Sequence, residues 1–163
     1  MLKKFILISL ILLTSSFSHS RHSFISGQDI SALERSGHIV KISQNVWKTR
    51  GGLFIAGTDH DKMTRLEHIM RHTIDMPQRP VHGVFTISKT AVIELMDETW
   101  SKIQSAVLTG QERGGRIAYI YDTGRIIGYM GGKKGKNQHN PRLKKVRIVI
   151  KKNKPEVVTF FPQ

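Results

Sequence analysis

Pro77 and Pro80 divide the stretch Leu66–Phe85, LEHIMRHTIDMPQRPVHGVF, into two conformations. Neither proline supplies the backbone N–H that a helix interior needs, so a helix entering this stretch must end before Pro77. His68 and His72 precede the break four residues apart, on one helix face and one turn from each other. His82 follows the break, where Val81–Ile87 reads as a strand or extended segment. Arg71 and Arg79 complete a set of three imidazoles and two guanidiniums within twenty residues. A set of this kind suits an anionic ligand.

The flanking patterns define the fold class. Thr58 or Asp59 is placed to cap a helix with apolar positions Met63, Leu66, Ile69 and Met70. Ser88 reads as the N-cap of a second, strongly amphipathic helix, with Val92, Leu95, Met96, Trp100, Ile103 and Val107 at spacings of three and four. Gly110 to Gly115 ends it. Arg116–Tyr121, Arg125–Met130, Leu143–Lys151 and Val157–Phe161 are short runs rich in Ile, Val, Tyr and Phe. Asp122-Thr-Gly124 signals a tight hairpin between the first two, and Asn153–Glu156 a turn between the last two. GGKKGKNQHNPR reads as a Gly-rich basic loop. The expectation is an α+β domain over residues 58–163, with two helices packed on a C-terminal antiparallel meander of about four or more strands. Residues 21–57 read as a lead-in: flexible and polar at first, with a short helix over Asp29–Arg35, a short strand at His38–Ile42, a turn at Thr49–Gly52 and an apolar run at Leu53–Ala56.

Residues 1–20 have the three-part pattern of a secretory signal peptide: Lys3 and Lys4, an apolar run from Phe5 to Leu13, then small polar residues. The apolar run is too short for a permanent membrane anchor. The expected product is secreted or periplasmic, with no stable membrane insertion after cleavage. Removing Lys3 and Lys4 leaves 24 of the 26 basic residues against 12 acidic ones, a net charge near +12. The absence of cysteine excludes thiol catalysis, Cys-based zinc sites and dithiol redox chemistry.

The positive charge is concentrated. No acidic residue occurs from Thr123 to Pro155, and Lys133–Lys154 holds ten Lys or Arg. Alternation along Leu143–Lys151 puts Lys145 and Arg147 on one strand face, a place for phosphates. GGKKGKN lacks the spacing and the hydroxyl residue of a nucleotide-triphosphate loop, and no G-x-G-x-x-G occurs. The alternative reading of the same tract is an exported, non-enzymatic binder of nucleic acid or another polyanion.

His68-Ile-Met-Arg-His72 has the spacing of a zinc helix, but Arg71 lies between the imidazoles and the order is not H-E-x-x-H. A metal-dependent hydrolase would need a more distant ligand such as His60. Metal-free acid–base chemistry fits the residues better, and no cofactor is expected. Cleaving RNA through its own 2′-hydroxyl needs a base, an acid and a cation at phosphorus. Imidazole serves as base or acid near neutrality, and Arg or Lys holds the extra charge.

The ordered set LEHIMRHT (66–73), HGVFT (82–86), TAVIELMDETW (90–100), RIAYIYDTGRIIGYMGG (116–132) and LKKVRIVIKKNKPEVVTFFP (143–162) resembles the RNase A-like and EndoU-like ribonuclease domains that end bacterial polymorphic and contact-dependent inhibition toxins. The resemblance implies a toxin or effector endoribonuclease that leaves a 2′,3′-cyclic phosphate without a metal. It implies His68 or His72 as base or acid, His82 as the second histidine of the EndoU-like branch, and Arg71 or Arg79 on the phosphate. Thr159 would donate a hydrogen bond to the phosphoryl oxygens. Phe161 stands where a tyrosine hydroxyl is expected, with Tyr129 or Tyr119 as substitutes. An acidic cognate immunity protein is the implied partner besides RNA.

Overall fold

The computed structural model describes residues 24–163, so the signal-peptide expectation for residues 1–20 lies outside the described residues. The α+β class is as expected: among the described residues, four α-helices accompany three antiparallel sheets. No helix among these residues is long and apolar enough to cross a membrane.

The described part of the expected lead-in, residues 24–57, is folded, with the short helix and strand close to where the sequence puts them and the rest joined to the domain. Ser26 and Asp29 form a reciprocal capping box that starts α1, Gly27–Arg35. A small sheet of β1 (Ile39–Ser43), β2 (Val46–Thr49) and β3 (Phe54–Ala56) follows. The reason is burial: Ile25, Leu33, Ile39, Trp47, Leu53 and Ile55 join the same apolar core as the later elements. Polar side chains fix the packing as well. Asp97 accepts hydrogen bonds from the Thr49 hydroxyl and the Gly51 N–H, and Glu34 accepts one from the Trp47 indole.

The helix of the histidine stretch, α2, is Arg65–Met70, and its N-cap is Thr64, not Thr58 or Asp59. Thr64 wins because Glu67 sits three residues on and completes a capping box. Leu66, Ile69 and Met70 are fully buried. A 3-10 turn, Arg71–Thr73, closes the helix before the prolines. β4 (His82–Phe85) follows, and then α3 (Lys89–Gln104) with Ser88 as N-cap, as expected. Val92, Leu95 and Met96 are buried, whereas Val107 lies beyond the helix end and is exposed.

The expected meander is corrected. β6 (Arg116–Asp122) and β7 (Gly128–Gly131) flank the Asp122–Gly124 turn but belong to different sheets. Both edges of β6 are occupied, one by β5 (Gln111–Arg113) and the other by β9 (Lys145–Lys151). β7 instead pairs with β4 and with the short β8 (Arg142–Leu143). The main sheet runs β10-β9-β6-β5, where β10 is Val157–Pro162. The Asn153–Glu156 turn joins β9 to β10 as expected. The Gly-rich basic loop contains a helix, α4 (Gly132–Asn137). The Lys133 and Lys134 N–H groups donate to the Arg79 and Pro80 carbonyls, so the start of α4 is satisfied by backbone.

The inner face of the main sheet, with Val146, Ile148, Ile150 and Phe160, closes the core, and Phe160 stacks on Phe85 at 5.6 Å between centroids. Phe160→Ala should lower the unfolding free energy by about 3–5 kcal/mol, read as a lower denaturant midpoint with an unchanged slope.

Candidate active site

Three backbone features bring the histidine stretch onto β10. The first is a break in the β9–β10 register between Val157 and Thr159, which leaves Val158 as an extra residue. The Arg65 guanidinium donates to the Val158 carbonyl at 2.7 Å and to the Thr58 carbonyl at 3.1 Å, which ties α2, the loop before it and the bulge together. The second is Gly83, where a Cβ would stand 1.9 Å from the Pro162 carbonyl oxygen; only glycine lets β4 run this close to β10. The third is the turn after Gly57. Its Asp59 is freed from helix capping because Thr64 does that work.

Asp59 orients His68. Its carboxylate accepts the His68 Nδ1–H at 2.7 Å and is itself held by the N–H groups of Asp61 and Met63, at 2.9 and 3.0 Å. The His68 Nδ1–H···Asp59 bond fixes the tautomer, so Nε2 of the neutral ring is an acceptor. Nε2 lies 3.2 Å from the Thr159 hydroxyl, which the bulge has aimed toward it. The chain Asp59–His68–Thr159 is thus a carboxylate, an imidazole and a hydroxyl in hydrogen-bond sequence. Burial pushes Asp59 up, but the hydrogen bonds from His68 and the backbone outweigh this and hold its carboxyl below the usual range. Burial lowers the His68 pKa, Asp59 raises it, and the Arg71 charge lowers it again; the net position is below 6.5.

His72 and His82 are in different states. The His72 Nδ1–H donates to the Gly83 carbonyl at 2.9 Å. Burial, only partly offset by that bond, lowers its pKa to about 3, with further lowering from His82, His68 and Arg71. His72 is therefore neutral across the physiological range. It is sandwiched between His82 (centroids 4.6 Å apart, 18° between planes) and Phe161 (5.3 Å, 24°). His82 is 3% exposed, and its Nε2–H donates to the Ile74 carbonyl at 3.1 Å and more weakly to that of Arg71 at 3.4 Å. Burial lowers its pKa against the pull of those carbonyls. Its visible work is to tie the 3-10 turn to β4.

One cavity of about 450 Å3 is lined by His68, His72, His82, Thr159, Arg71 and Arg79, which gathers six of the eight site residues read from the sequence. Arg71 is 4% exposed, bonds Asp61 at 3.3 Å, and has a buried Nε with no partner. A guanidinium this desolvated and incompletely paired suits an anion. The other two residues lie elsewhere. Arg147 faces a groove on the outside of the main sheet, and Lys145 sits 4.0 Å from Asp122 at the end of β9. Neither Tyr129 nor Tyr119 lines the cavity: Tyr129 borders a cleft with Asn140 and Arg142, and Tyr119 one with Trp100 and Pro155. The cleft beside Trp100 is similar in size but contains no imidazole or carboxylate.

Sequence reasoning missed Asp59 as a partner of His68 and gave His60 no part in acid–base chemistry. The signal was present in TDHDKMTRLEH, because the capping box at Thr64 leaves Asp59 unused. His60 is well exposed and lines both this cavity and the neighbouring cleft that shares His68 and Thr159. Asp59, His60 and Asp61 each place one donor atom within 4.8 Å of the others. Both Asp59 oxygens are already engaged, and Asp61 carries Arg71, so the set is poorly disposed toward a cation.

Compared with models of protein families, with curated proteins and with solved structures, the chain matches none. The site therefore stands on its own geometry.

Because the folded His72 pKa is depressed, stability should be full above pH 6.5 and should fall as the pH drops toward 3. The His72 contribution reaches about 1.4 kcal/mol per pH unit inside that window. Unfolding free energies measured from pH 7 to 4 should show this loss, and His72→Phe, which keeps the stack on Phe161, should flatten it.

Proposed function

We propose that this protein is an exported, metal-independent endoribonuclease that cleaves RNA by attack of the 2′-hydroxyl on the adjacent phosphate. The observation that carries the reading is the Asp59–His68–Thr159 chain opening into a cavity that also holds Arg71 and Arg79. A base needs its free nitrogen exposed to the substrate and its other nitrogen oriented, and His68 has both properties. A guanidinium pair supplies the charge that the reaction develops on phosphorus.

In this reading His68 Nε2 takes the proton of the 2′-hydroxyl. The 2′-oxygen then bonds to phosphorus, and the phosphorus–O5′ bond breaks. Arg71 and Arg79 bind the non-bridging oxygens, and the Thr159 hydroxyl turns from Nε2 to a phosphoryl oxygen. The O5′ leaving group needs a proton. His72 is neutral down to about pH 3, and His82 has its Nε2–H committed to backbone carbonyls. His60 is the remaining imidazole on the cavity wall, and we assign it the acid role. The products are a 2′,3′-cyclic phosphate and a 5′-hydroxyl.

The net charge of +14 supports attraction to RNA, and an acidic protein that covers the same cavity would be the matching inhibitor. Export, to the periplasm or beyond, follows from the first twenty residues.

Incubation of the mature protein with RNA in excess chelator should give fragments with 2′,3′-cyclic phosphate ends. His68→Ala should lower kcat/KM by about 10²–10⁴-fold, His60→Ala should also lower it, and His72→Phe should retain most of it. A requirement for a divalent ion, or fragments with 5′-phosphate ends, would rule the mechanism out. Salt-dependent RNA binding that persists in all three variants with no cleavage by any form would mark a binder instead.

A further inference from the structure

The outer face of the main sheet is ordered in cross-strand rows that begin at the His68 cavity. Thr159 on β10 lies opposite Val149 on β9, which lies opposite Ala118 on β6, which lies opposite Gln111 on β5. This row is low and uncharged. At a strand spacing of 4.7–4.9 Å it runs about 14 Å from Thr159 to the sheet edge.

The rows on either side are cationic. On one side, Phe161, Arg147 and Ile120 are in register. On the other, Lys151, Arg116 and Arg113 are in register, the last two closing the tight Gly114-Gly115 turn. Like charges directly opposite one another destabilise a sheet. Lys151 is paired with Glu156, but Arg113, Arg116 and Arg147 have no acidic partner among the described residues. Three guanidiniums without an acidic partner stand around a floor of Ala118 and Val149 in a groove of about 570 Å3, whose lining also includes Glu112, ion-paired with Lys152.

The groove and the His68 cavity each share lining residues with one intervening cleft. A cleft that contains His68 and Thr159 also contains Arg116, and the groove begins at Arg116. The catalytic hydroxyl row therefore continues directly into the arginine-flanked row.

The geometry points to this groove as the binding track for the single-stranded RNA that flanks the scissile phosphate, with Arg113, Arg116 and Arg147 on its phosphates. The inference rests on the ribonuclease reading for the direction in which the track leads. Its ligand class follows from the groove itself. Guanidinium rails suit phosphates, while Ala118 and Val149 give unstacked bases an apolar floor. A duplex would hide its bases from that surface, and an acidic protein would not need a floor of this shape. Arg65 borders the same cleft but is committed to the Val158 and Thr58 carbonyls. It positions the bulge and is not counted among the phosphate ligands.

The test separates binding from cleavage. Binding of a fluorescent, fully 2′-O-methylated ten-nucleotide strand, which no 2′-hydroxyl mechanism can cleave, is measured by anisotropy over a salt series. Cleavage of a dinucleotide, too short to occupy the groove, is measured in parallel. The double variant Arg113→Gln/Arg116→Gln should bind the ten-mer more weakly, with the log–log salt slope reduced by about 0.7 per lost phosphate contact. Its kcat/KM on the dinucleotide should fall by a smaller factor than its affinity for the ten-mer. Arg113→Lys/Arg116→Lys should retain most of the slope. Lys41→Gln/Lys102→Gln, which removes equal charge from β1 and α3, should leave the slope unchanged. An unaltered slope in the Arg→Gln pair, or an equal reduction in the Lys→Gln control, overturns the proposal. If the wild type cleaves no dinucleotide while the slope still falls as stated, the ribonuclease reading fails and the groove stands as a single-strand binding site.

Discussion

Leu66, Ile69 and Met70 bury the inner side of α2 completely, and this packing sets the distance between the helix and β10. Every polar contact in the cavity depends on that junction. Burial of three large apolar side chains contributes roughly 1.5–3 kcal/mol each, together more than any single hydrogen bond in the site. The hydrogen bonds then determine direction rather than affinity between the elements. Arg65 holds the Val158 bulge, the bulge aims Thr159, and Thr159 meets His68. Without the apolar junction the bulge would be an edge irregularity with nothing to face.

The same burial sorts three chemically identical rings into three states. His68 keeps Nε2 against the Thr159 hydroxyl and a buried carboxylate partner on Nδ1, so desolvation lowers its pKa while Asp59 raises it. His72 has only a backbone carbonyl to offset deeper burial, and it is held neutral to about pH 3. His82 faces two carbonyls and serves as a buried tie between chain segments. Residue type therefore says little about role here; the partner of each second nitrogen decides it. Arg71 is the complement: it donates to Asp61, lies beside His68, and is buried and still short of one acceptor.

Much of this was legible in the sequence where a local rule governed. Ser88 as a cap, the α3 stripe as far as Ile103, the proline break and the Asn153–Glu156 turn depend on neighbours a few residues away, and each is found where the pattern put it. Local rules failed where two elements compete for one partner. Asp122-Thr-Gly124 has the composition of a hairpin turn, yet β9 outcompetes β7 for the edge of β6 across seven paired positions. Thr58 and Asp59 each have a capping side chain, but Glu67 makes Thr64 the better start. In the lead-in the short helix and strand are legible, but their place in the core is not, because the apolar residues show no period of their own and are spaced to fit a surface supplied by the rest of the chain. For the site, the histidines and arginines were readable as a set. Asp59 is legible only once Thr64 and Glu67 are recognised as the capping box, which leaves its carboxylate free for His68.

The central claim is that His68, oriented by Asp59, is the base in RNA cleavage. The pH dependence of kcat/KM for a dinucleotide tests it most directly, since that profile reports the free enzyme. Wild type should show an acidic limb below the ordinary imidazole value of 6.5. Asp59 raises the His68 pKa, so Asp59→Asn should shift that limb to lower pH and reduce the plateau. An acidic limb that Asp59→Asn leaves in place, or a profile without one, would contradict the account.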